Sequence, residues 1–263
     1  MTNRTLAKRI GALIAGSSAL AMAVLTDDGP AAAADIRLLS AAAMQTVFKE
    51  TVDEFERRSG HRLIIHYATM GAITQILPGE RADLVISSSQ SVAELARQGR
   101  IRAGSQVTIC RTGVGVVVPR GGPKPAMTSV EDFKRALLDA RVVLYANPVG
   151  GGAAGVHVAR VIEQLGIAEQ LKAKTKFGAG GDVAELTLAE GPGALGITQN
   201  SEIVGKATVD YAGPLPKELQ NYTEVVAGIP SDASDSDAGR AFIRFLQSPA
   251  AVAVIKAKGM DVE

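Results

Sequence analysis

The stretch from Tyr145 to Gly166 reads "YANPVGGGAAGVHVARVIEQLG". An apolar strand-like run meets a glycine cluster, and a helix-like run follows. Gly150-x-Gly152-x-x-Gly155 has the spacing of a dinucleotide-binding fingerprint. Such a loop follows the first strand of its fold, with an acid about 20 residues on at the next strand end. Here it lies deep in the chain, and the nearest acid, Glu169, falls in a helix or loop. The other chemistry open to a glycine-rich helix start is anion binding by bare backbone N–H groups, helped by the helix dipole. On this reading Gly152, Gly155 and Val156 present the backbone. His157 falls in the first turns of the helix, where a neutral imidazole serves as a hydrogen-bond donor or a general base. An ordinary half-buried histidine is the favoured alternative, because no partner is visible in the sequence.

Other strand ends share the pattern of small or hydroxyl residues running into a helix start. They are Leu39-Ser40-Ala41-Ala42, Ala68-Thr69-Met70-Gly71 and Ser87-Ser88-Ser89-Gln90. Helix capping explains any one of them. The recurrence at four ends suggests a shared cradle, because in open α/β sheets ligands bind at the carboxyl ends of the strands.

The elements that must position these residues alternate regularly. "DIRLLSAAA" is a strand, and "MQTVFKETVDEFERRSG" a helix with Phe48, Val52 and Phe55 on one face and Gly60 as its stop. "HRLIIHYA", "GAITQIL", "ADLVISSS" and "QSVAELARQGRI" continue strand, helix, strand, helix. "VTICRTGVGVVV" reads as strand. A second alternation runs from Ser129 to Gln199, with "NSEIVG" as a helical turn after the strand "ALGITQ". The strand "YTEVVAGI" and two terminal helices close the chain. The fold class is α/β in two lobes: residues 35–117 with 223–263, and residues 118–222.

Composition narrows the function. Lys plus Arg number 28 and Asp plus Glu 27, so no basic excess points to nucleic acid. The start "MTNRTLAKRI", an apolar run to Leu25 and an A-x-A site describe a signal peptide over residues 1–34. Its removal leaves 25 basic and 25 acidic residues. Export to the periplasm is expected. Cys110 is the only cysteine and reads as a buried thiol. His61, His66 and His157 show no metal-ligand spacing, and no serine-hydrolase elbow is present. No metal or cofactor is expected.

The run from Leu38 to Ile101, with "NPVGGGAAGVHVARVIEQLGI" and "DVAELTLAEGPGALGITQNSEI", resembles the periplasmic molybdate-binding proteins over most of the mature chain. The resemblance implies a two-lobed type II periplasmic binding protein fold with the ligand in the cleft between lobes. It also implies a monomer that hands a small anion to an ABC permease and its ATPase. The family's ligand-binding serine positions fall on Met44, Thr69 and Met70, and its tyrosine on Gln199. Thioethers cannot donate hydrogen bonds, so an organic carboxylate fits better than molybdate. The implied ligand set is Ser40, Met44, Thr69, Met70, Gly71 and Ser87 from lobe one. Lobe two contributes Gly152, Gly155, Val156, His157 and Gln199. Ala154-Gly155-Val156-His157 and Gln199 also resemble, more distantly, the periplasmic aconitate isomerases. That resemblance implies proton transfer within a small tricarboxylate, with His157 as base.

Overall fold

The computed structural model describes residues 33–150 and 152–262. The leader expected over residues 1–34 lies, but for its last two residues, outside them. The chain begins as β1 (Asp35–Ala41), α1 (Gln45–Ser59), β2 (Arg62–Ala68), α2 (Met70–Ile76), β3 (Leu84–Ser88) and α3 (Ser89–Arg97). β1 lies parallel between β2 and β3. α1 ends at Gly60, whose φ of 75° is the left-handed conformation that favours glycine.

Next comes β4 (Val107–Pro119), then α4 (Val130–Asp139), β5 (Val142–Ala146), α5 (Ala153–Gln164) and α6 (Ala168–Lys172). β6 (Thr175–Gly178), α7 (Val183–Glu190), β7 (Ala194–Gln199) and β8 (Val209–Pro214) follow. The chain returns through β9 (Tyr222–Gly228) to α8 (Ser236–Leu246), α9 (Pro249–Ala257) and β10 (Met260–Asp261). Short α6, β8 and β10 are additions to the sequence reading. β8, "VDYAGP", is half-buried and carries glycine and proline, so it shows neither alternation nor an apolar run.

β4 belongs to both halves of the molecule. From Val107 to Gly113 it pairs with β9, and from Val114 onward with β7 and β8. At the changeover the Gln220 side chain clasps the backbone of Val114. It donates to the carbonyl at 2.9 Å and accepts from the N–H at 2.8 Å.

Two main apolar cores flank this point. The first joins Leu38, Phe48, Phe55 and Ile86 to Phe242 of α8 and Ile255 of α9. The Phe55 and Phe242 rings meet edge-to-face at 4.8 Å between centroids. The terminal helices thus cover the first sheet, as their apolar faces require. The second core gathers Phe133, Leu137, Val143, Val158 and Ile197.

Candidate functional site

The carboxyl ends of β1, β2, β5 and β7 meet between the two cores, around a small cavity of about 30 Å³. Ala42, Ala43, Thr69 and Met70 line one side. Gly152, Ala153, Ala154, Gly180, Gln199 and Glu202 are among those lining the other.

Two longer helices aim uncapped starts at this space. The 3₁₀ turn Ala42–Met44 leads directly into α1, and neither it nor α1 has a side-chain cap. α5 starts after Gly152, which has no side chain to cap with. The first N–H groups of a helix lack intrahelical partners. By contrast α3, α4, α8 and α9, which start outside the cavity, are capped by Ser88, Ser129, Asp235 and Ser248. The cavity therefore gathers bare backbone donors and the positive ends of two helices.

Gly155 owes its place to packing. A methyl there would sit 2.1 Å from the Ala146 carbonyl oxygen, so α5 lies directly against the end of β5. The G-x-G-x-x-G spacing thus combines a bare helix start at Gly152 with a close helix–strand contact at Gly155. The lobes touch around the cavity. The Thr69 hydroxyl donates to the Gly150 carbonyl at 2.8 Å, and that of Thr46 to the Ser201 carbonyl at 2.8 Å. Methyl groups added at Gly180 and Gly181 would press on Thr69 and Ala42.

Of the residues singled out from sequence, Thr69, Met70, Gly152 and Gln199 line the cavity. Gly71, Val156 and His157 line a wider groove that adjoins it through Met70 and Ala153. His157 Nε2 lies 2.7 Å from the Leu219 carbonyl, which it meets as donor. Ser40, Met44, Ser87 and Gly155 are buried and do not line the cavity. The Ser40 hydroxyl turns to the neighbouring Ala41 carbonyl, and that of Ser87 to the Met70 carbonyl. Met44 lies in the first core with its sulfur 4.0 Å from Cys110 Sγ.

Among the described lining residues, Glu202 is the ionisable one, and sequence reasoning passed it over, as it did Ala43, Ala146, Gly180 and Thr198. Glu202 sits in a 3₁₀ turn, Asn200–Glu202, three residues past the end of β7. Its carboxyl is buried and accepts hydrogen bonds from the Thr198 hydroxyl and the Gln199 backbone N–H. Burial pushes its pKa up; the Thr198 hydrogen bond and Lys206 oppose this, while Asp182 adds to it. Beside it, Gln199 Oε1 is buried without a hydrogen-bond partner, although the amide nitrogen reaches Thr223 Oγ1 at 3.5 Å. An acid in the turn after a strand whose end faces a cleft was the available signal. Among the described residues, no lysine or arginine lines the cavity.

Residues 36–261 match the family of bacterial extracellular solute-binding proteins. The chain belongs to that family. It is 26% identical to an aconitate isomerase from Pseudomonas sp over 232 residues, covering 86% of this chain and 87% of that protein. It is 29% identical to the molybdate-binding protein ModA of Azotobacter vinelandii over 242 residues, covering 89% and 92%. In three dimensions it resembles the periplasmic molybdate-binding protein of Azotobacter vinelandii. The TM-score is 0.73 at 20% identity, covering 87% of this chain and 99% of that one. The fold is thus the two-lobed type II binding-protein fold, as the sequence resemblance implied.

Proposed function

We propose that this solute-binding protein captures a small organic carboxylate in the periplasm and presents it to an ABC permease and its ATPase. The observation that carries this reading is the mixed lining of the cavity. Bare N–H groups at the starts of α1 and α5 suit carboxylate oxygens. The methyl groups of Ala42, Ala43, Ala146, Ala153 and Ala154 and the Met70 side chain suit a carbon frame. A tetrahedral metal oxyanion has no carbon to set against them. Residues 35–117 with 223–263 would move against residues 118–222 as the cleft opens, by bending near Val114. A thermal-shift screen with molybdate, sulfate and di- and tricarboxylates tests the reading. Stabilisation by a carboxylate and little by molybdate is expected, and the reverse order rejects it.

A second reading is an isomerase that moves a proton within a tricarboxylate. It is favoured by the buried acid Glu202 on the cavity wall and by similarity to an aconitate isomerase across most of both chains. His157, outside the cavity and committed to Leu219, is the weaker candidate for the base. Proton NMR of cis- and trans-aconitate with trace protein separates the readings. Interconversion that survives in His157→Ala and vanishes in Glu202→Gln would establish the enzyme.

A further inference from the structure

Glu202 raises a question of charge. The cavity supplies an anion with N–H groups and helix ends, but with no cationic side chain among the described residues. One of its walls is nevertheless a buried carboxyl. Lys206 and Asp182 are the charged groups that reach this carboxyl. Lys206 is held by Glu185 at 2.5 Å. The 3₁₀ turn and the start of α1 packed against it contribute Ala42, Ala43, Met44, Gln45 and Thr46, none of them ionisable. The β4 segment beside it, Gly113 to Val117, has no ionisable side chain either. Lys258, farther off, is paired with Glu50. An anion and an ionised Glu202 in the same small cavity would place two like charges together, with helix ends but no cationic side chain among the described lining residues to offset them.

We propose that anion capture takes up one proton, held on the Glu202 carboxyl or shared between it and the ligand, so that Glu202 sets which anions bind and at what pH. The inference rests on reading the cavity as an anion site. The balance is simple: an ionised Glu202, a proton from solvent and the anion give a neutral carboxylic acid donating its O–H to the bound anion. No covalent bond of the ligand changes. At low pH the acid is already protonated and no proton is taken up. As pH rises through the carboxyl's pKa in the free protein, each binding event must draw a proton from solvent. The same wall would favour ligands that bring a hydroxyl or a protonated oxygen of their own, because these can donate to an ionised Glu202 or to the unpaired Gln199 Oε1.

The test is isothermal titration calorimetry of the intact protein in pairs of buffers with different ionisation enthalpies, between about pH 5 and 9. The probes are trans-aconitate and sulfate; sulfate stays fully ionised throughout, so any proton it brings in belongs to the protein. The expected result is uptake approaching one proton and affinity falling about tenfold per pH unit above the carboxyl's pKa. Glu202→Gln, the neutral isostere, should bind with no uptake and an affinity flat in pH. Lys206→Met, outside the cavity, should move the fall to higher pH by removing a charge that favours the ionised form. Binding of either probe with no proton uptake, or Glu202→Gln that keeps the wild-type pH profile, overturns the proposal and leaves the anion site standing. If neither probe binds wild type or variant at any pH, the anion reading fails and the proposal fails with it.

Discussion

The Thr69 hydroxyl donates to the Gly150 carbonyl across the cleft at 2.8 Å while accepting from the Ala72 N–H at 3.2 Å. One side chain thus caps α2 and bridges the two lobes beside the cavity. Thr69→Val keeps the shape and removes both bonds. It is expected to weaken the closed state by about 1 kcal/mol, and so to weaken ligand binding about fivefold. Loss of the cap should cost about 1 kcal/mol of stability in addition. Thr69→Ser should restore both. Calorimetric titration and urea unfolding of the two variants check this. Equal ligand affinity in Thr69→Val and wild type would show that the bridge does not contribute to closure.

Glu202 also makes stability depend on pH, with a definite sign. Its folded-state pKa is raised above the ordinary 4.5, chiefly by burial. Below that value the carboxyl is protonated in both folded and unfolded chains and its contribution is complete. Above it the unfolded chain ionises first, so stability falls as pH rises until the folded carboxyl also ionises. Urea midpoints of wild type should decline over this window more steeply than those of Glu202→Gln. Parallel profiles would count against a neutral buried acid.

Gly155 faces the Ala146 carbonyl so closely that an added methyl would lie 2.1 Å from it. Gly155→Ala must push α5 away from β5, at a cost of about 1–3 kcal/mol. Because α5 carries the bare helix start at Gly152, ligand affinity should fall as well. Gly150→Ala, with open space around the added methyl, is the control and should unfold at nearly the wild-type urea concentration.

Cys110 is buried against Met260, 3.6 Å from its sulfur, and burial pushes its thiol pKa up to about 12. The thiolate is the reactive form. The native protein should therefore leave an aromatic disulfide reagent unreacted at mildly alkaline pH, and release one equivalent of thiol once unfolded in guanidinium. Rapid reaction of the folded protein would show that this part of the first core opens readily.

Much of the fold was legible because strands and helices alternate with clear punctuation, as at Gly60, Ser129 and the glycine cluster. The cavity was legible where a lining residue coincides with a helix start: Thr69, Met70 and Gly152. Elsewhere one-dimensional patterns lose direction. β3 is buried at every position from Leu84 to Ser88, so no alternation tells which way the Ser87 hydroxyl turns. His157 finds its partner 62 residues away, at Leu219, in a segment with no periodic signal. Glu202 looks like a solvated acid in a polar turn. The turn packs against lobe one, where Thr46 bonds to Ser201, and its carboxyl is buried.

β4 carries a consequence for how the protein comes apart. Its first half completes one core and its second half the other, with no break in the chain and with Gln220 fastened at the junction. Losing one lobe would strip half of this strand of its neighbours and expose the end of the other lobe's sheet. The described residues accordingly form one compact unit. Melting is then expected to be a single cooperative event, with calorimetric and van't Hoff enthalpies in agreement. A molecule proposed to bend at this strand is, for denaturation, indivisible.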